Sequence, residues 1–139
     1  MAVNTADRVH AALMGSLMGS VAAYWVGYYT TDAVRTADGP AYEQFQRSFA
    51  LAETAWVATG LAASEQLWRG KSTAVPLGIA TGRAAGFLGL MDVLWNIQHG
   101  KYAERTPEMG LETAINVICL TAGPATMVRL WRARDRLGG

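Results

Sequence analysis

AALMGSLMGSVAAYWVGYY, residues 11–29, runs nineteen residues without a charge. An α-helix rises about 1.5 Å per residue, so this stretch covers about 30 Å, the hydrocarbon thickness of a bilayer. Within it, Ala11, Gly15, Gly19, Ala23 and Gly27 recur four apart, beside a second row of Ala12, Ser16, Ser20, Tyr24 and Tyr28. Lipid offers no hydrophobic drive between helices, so close backbone approach along small residues is what joins them. The Gly15/Gly19/Gly27 stripe offers such a face to a neighbouring helix or to a second copy of the chain. MGSLMGS is a packing repeat and not a phosphate loop, because the preceding strand and the lysine are both missing.

Three further apolar segments follow, near 49–68, 75–98 and 111–131, each with one or two ionisable residues. Polar loops with helix breakers separate them: TTDAVRTADGPAYEQFQRS, RGKST before Pro76, and HGKYAERTPEMG. The pattern predicts helices over about 9–30, 48–69, 75–99 and 110–132, forming a single transmembrane domain. The expected fold is all-α, an integral membrane four-helix bundle in up-down order. Pro124 falls inside the last segment, where a membrane helix tolerates it and bends.

Charge placement orients the bundle. In up-down order one side holds Arg8, Arg69, Lys71, Arg129, Arg132, Arg134 and Arg136. The other side holds Arg35, Arg47, Lys101 and Arg105 among Asp32, Asp38, Glu43, Glu104 and Glu108. Basic residues concentrate on the cytoplasmic side of membrane proteins, so both termini are expected in the cytoplasm of a multi-pass cell-membrane protein. The aromatic residues in LWRG, LWRAR and WVGYY fall at the boundaries, as interfacial belts do.

With 51% of residues hydrophobic and 17% charged, the composition suits one domain, either a polar-cored membrane bundle or an unusually apolar soluble helical bundle, and the charge placement favours the membrane. A net charge of +1 gives no basis for a nucleic-acid partner. The single cysteine, Cys119, and two histidines without HExxH or CxxC spacing give none for an internal disulfide, a metal site or a cofactor. No cleavable leader is expected, because the first apolar run is too long and ends in aromatics.

The polar residues inside the apolar segments carry the functional reading. GLMDVLWNIQHGKY, residues 89–102, places Asp92 and Asn96 four apart on one helical face, and Glu112 and Asn116 repeat the carboxylate-then-amide spacing. Up-down order brings these four, Glu53 and the two tyrosines Tyr24 and Tyr28 to one depth in the non-cytoplasmic half. Carboxylates facing lipid are costly, so they are expected to line a shared pocket. Glu112 also suits a helix start, and Glu53 the interface. His99, at the pocket mouth, either relays protons or caps its helix beside Gly100. Arg83 is expected to pair with Glu65 or to extend toward the interface. His10 has no evident partner.

Such a pocket suits acid–base chemistry on a lipophilic molecule. Asp92, Glu53 and Glu112 are the candidate catalytic groups, since carboxylates in unequal environments divide into a proton donor and an acceptor. Asn96 and Asn116 can orient a substrate oxygen, with Tyr24, Tyr28, Trp56, Trp95 and His99 as further substrate contacts. Isomerisation, cyclisation and epoxide opening all fit. The alternatives are an oligomeric carrier for a cation, proton or small molecule, and a non-catalytic accessory subunit whose polar groups only set helix register.

Overall fold

In a computed structural model, which describes residues 4–31 and 33–137, the chain is all-α. Four helices follow one another: α1 (Thr5–Thr30), α2 (Pro40–Trp68), α3 (Ala74–Gln98) and α4 (Pro107–Leu137), with a short 3-10 turn at Lys101–Ala103. Asp32, counted above in the charge balance, lies outside the described residues.

Helix ends follow local chemistry. The Asn4 side chain caps α1 by accepting the Asp7 amide at 2.7 Å. Gly70 takes a left-handed conformation after α2, and its amide bonds the Leu67 carbonyl while Lys71 reaches Gln66, the Schellman arrangement. Four boundaries differ from the sequence expectation. α1 begins at Thr5, α2 at Pro40 and α4 at Pro107, each a turn or more before the apolar segment, and α4 runs on to Leu137. Prolines favour the first helical turn, so Pro40 and Pro107 start helices that hydropathy alone places later. Amphipathic turns then extend beyond the apolar length. α4 continues through Pro124 as one helix.

α1, α3 and α4 are long and apolar enough to cross a membrane. α2 is more polar, with Glu53 and Glu65 inside its last five turns. Leu13, Val26, Phe87, Leu94, Val117 and Val128 stand half or more exposed on the outer faces. Soluble monomers rarely show that much contiguous apolar surface; these faces suit lipid.

α1 packs on α2, α2 on α3, and α3 most closely on α4. A Cβ on Gly82 would sit 2.5 Å from the Gly123 carbonyl oxygen, and one on Gly123 2.7 Å from that of Gly82. The two backbones therefore touch, and only glycine fits on either side. Between α1 and α2, Ser64 Oγ donates to the Ala11 carbonyl at 2.7 Å, and a Cβ on Gly15 would crowd it. Gly19 has open space instead. The small-residue stripe of α1 is thus divided, Ala11 and Gly15 used within the chain and Gly19 turned outward.

At the end holding the termini, Ala11, Leu67, Ala74, Leu130 and Ala133 form an apolar cluster. At the opposite end, Phe45 stacks on Trp95 with ring centroids 4.2 Å apart. α1 and α4 make no backbone contact among the described residues. One ionic tie joins them: Asp7 accepts from Arg136 at 2.5 and 3.1 Å and from Arg129 at 3.1 Å. The expected pairing of Arg83 with Glu65 does not form. Glu65 pairs with Arg69, four residues on, at 2.7 Å, and Arg83 stands exposed on α3 beside Phe87 and Leu90. The helical i,i+4 neighbour is nearer than any group across the helix interface.

Candidate functional site: three carboxylates at the end of a lateral cleft

Three helices each bring one carboxylate to the loop-bearing end. The glycine contacts set the register: Gly82 meets Gly123, Gly89 meets Cys119, and two turns on Asn96 meets Glu112. There Asn96 Nδ2 donates to Glu112 Oε1 at 2.5 Å, both residues buried. Glu53 of α2 accepts from the indole N–H of Trp25 at 2.6 Å. Asp92 lies within electrostatic reach of both Glu53 and Glu112, and it makes no hydrogen bond among the described residues. Tyr24 feels all three carboxylates.

The polar accounting around this cluster does not close. Asn96 Oδ1, Asn116 Oδ1 and Glu112 Oε2 are buried acceptors without a donor among the described residues. Buried oxygens nearly always find a partner, so three orphaned in one place call for donors from outside the chain: water, or a ligand hydroxyl.

The cluster adjoins a cleft of about 470 Å³ between α1 and α4, within the 300–1,000 Å³ range of small-molecule sites. Trp56, Thr81, Gly82 and Ala85 form its floor, with Met14 and Met18 on one wall and Cys119 and Ala122 on the other. Leu13, Ile118 and Ala122 line it and are also exposed, so it opens sideways, toward the space lipid would fill. Cys119, in its wall, is close enough to feel Asp92 and Glu53. The carboxylates thus stand at one end of an apolar slot.

The other sequence-derived candidates divide. Asn116 is buried, its Nδ2 donating to the Tyr102 hydroxyl at 3.1 Å. Trp56 is buried in the cleft floor, its indole N–H spent on the Thr81 carbonyl at 3.0 Å. Tyr28 is buried with an unpartnered hydroxyl, but its charged neighbours are Arg35, Glu43 and Arg47 near the α1–α2 loop. Trp95 is sandwiched between Phe45 and His99, and His99 is exposed, its Nδ1 2.9 Å from the Trp95 carbonyl. Glu112 is no helix-start residue, since α4 begins five residues earlier.

Sequence reasoning missed Trp25, Tyr102 and the cleft. Trp25 was within reach: in adjacent helices of opposite direction, a residue near the end of α1 meets one early in the apolar part of α2. Tyr102 lies in a 3-10 turn that hydropathy reads only as loop. No family model matches this chain, and no curated protein or solved structure matches it either.

Proposed function

We propose that the chain is a multi-pass membrane enzyme, an up-down four-helix bundle with α2 as a fourth span and both termini cytoplasmic. Asp92, Glu53 and Glu112 carry out acid–base chemistry on a lipophilic small molecule that enters the cleft from the bilayer. The observation that carries this reading is Asp92, a carboxylate without a hydrogen bond, set among two others and three orphaned oxygens where an apolar cleft ends.

Glu53 and Glu112 are each held by one donor, as register-setting polar groups are, and alone they would support no more than that. Asp92 has no such job. One protonated carboxyl gives its proton to an alkene, epoxide or carbonyl, and a neighbouring carboxylate takes one back. An isomerisation or cyclisation run this way needs no co-reactant; epoxide opening consumes one water. Asn96 and Asn116, whose free Oδ1 atoms accept, orient a substrate hydroxyl or a reacting water through its hydrogen. Beyond the carboxylates the cleft is lined mainly by apolar side chains, which disfavours an ion pathway.

The test runs in heavy water. Protein in lipid discs is incubated in D₂O with a membrane lipid extract, beside Asp92→Asn, and the lipids are compared by mass spectrometry. A species that gains a single deuteron with the parent protein and not with Asp92→Asn supports the reading. A well-folded parent that alters nothing, across extracts of varied origin, counts against it.

A further inference from the structure

The cleft has a second polar end, 13 residues along α4 from Asn116, which is about 20 Å of helix. His10 and Arg129 line it there. His10 Nε2 and Arg129 Nε are buried nitrogens without partners among the described residues; the guanidinium Nε carries a hydrogen, and the imidazole Nε2 carries one in one of its tautomers. Charge is unbalanced at this end: the guanidinium groups of Arg129 and Arg136 face the single carboxylate of Asp7, an excess of one positive charge. Asp7 engages Arg129 through Nη2 alone, which leaves the Nε–H unused.

The geometry points to an anion site: His10 and Arg129 bind the carboxylate or phosphate head of a single-chain amphiphile whose tail lies along the cleft over Met14, Met18 and Trp56. A guanidinium edge with an adjacent imidazole is a good donor set for either oxyanion. The apolar floor takes a chain, and the side opening admits it from a leaflet without passage through water. Gly82 and Gly123 line the cleft where the α3 and α4 backbones touch. That the same amphiphile is the substrate, its far end reaching Asp92, rests on the proposed function; the binding itself does not.

Binding of tetradecanoate, tetradecyl phosphate and tetradecanol is measured on the full chain in phosphatidylcholine discs, and again with phosphatidylglycerol present. At least one of the two anions is expected to bind about ten-fold or more tighter than the alcohol, the worth of one charge-assisted hydrogen bond. Whichever anion keeps that preference identifies the head. Arg129→Gln is expected to lower the anions to the alcohol's level and leave the alcohol unchanged. Asp7→Asn combined with Arg129→Gln repeats the test without a stranded carboxylate. Ala122→Phe, a substitution at an exposed wall position, is expected to abolish binding of all three. Equal binding of anions and alcohol, or an anion preference that survives both Arg129 variants, overturns the proposal, and displacement by phosphatidylglycerol overturns its single-chain part. Asp92→Asn is expected to bind all three normally. Loss of deuteration with binding intact therefore concerns the chemistry, and loss of head-group preference with deuteration intact concerns only this site.

Discussion

Asp7 is 1% exposed and bonds two arginines from the far end of the chain. Burial alone would raise its pKa, but the hydrogen bonds and charges of Arg136 and Arg129 outweigh burial and hold it below the ordinary value of 3.8. Asp7 precedes the apolar run. A carboxylate with a depressed folded pKa stabilises fully above its unfolded pKa, and that contribution fades as pH falls through the folded one. Melting temperature is therefore expected to hold steady down to about pH 4 and fall below it, with the fall smaller in Asp7→Asn. At neutral pH, Asp7→Asn is expected to cost about 1.5–3 kcal/mol, the range for hydrogen bonds to charged groups. A denaturant titration in mild detergent reads it; no loss would mean that the tie contributes nothing net. Asp92→Asn is expected to differ in sign. Asp92 satisfies no hydrogen-bond partner, and groups retained for function are commonly held at some cost in stability. The variant should melt at or above the parent temperature, whereas collapse would make Asp92 structural.

Between elements, α3 and α4 meet as backbone on backbone. Gly82→Ala places a methyl group against the Gly123 carbonyl, and overpacking of this kind costs about 1–3 kcal/mol. Gly19→Ala, with open space around it, is expected to be neutral or to gain up to about 1 kcal/mol through the less flexible unfolded chain. Thermal shifts of the two variants, side by side, separate glycine as contact from glycine as composition; equal shifts would dismiss the contact. The sequence shows both glycines in like surroundings and does not say which one touches. The helices themselves were legible, because a charge-free run of nineteen residues admits few readings. Their ends were less so, since Pro40 and Pro107 begin helices outside the apolar segments. Of the site, the shared level of Glu53, Asp92 and Glu112 follows from helical rise and loop order. Which of them lacks a donor does not, since Trp25 and Asn96 decide that by rotation about helix axes that hydropathy leaves free.

At the scale of the molecule, the open seam between α1 and α4 could not be read from one sequence. Four helices in sequence order can close into a ring or stop as a row, and the difference lies in the α1–α4 backbone contact, which is not made among the described residues. Closure at one end by Asp7 and separation along the rest make the seam a slot with an ionic clasp. The clasp residues belong to the same basic set, Arg129 to Arg136, that argues for cytoplasmic termini, so orientation and seam are linked. If the positive-inside bias governs, the clasp faces the cytoplasm and the carboxylate cluster lies in the other leaflet. Single cysteines in a Cys119→Ser background test this with a membrane-impermeant maleimide on intact cells. Arg105→Cys, in the α3–α4 loop, is expected to label from outside. Asp135→Cys, exposed near the end of α4, is expected to label only after the membrane is opened. Labelling of Asp135→Cys on intact cells with Arg105→Cys protected would invert the bundle. The anion end would then take its ligand from the outer leaflet, and the carboxylates would work on the cytoplasmic side.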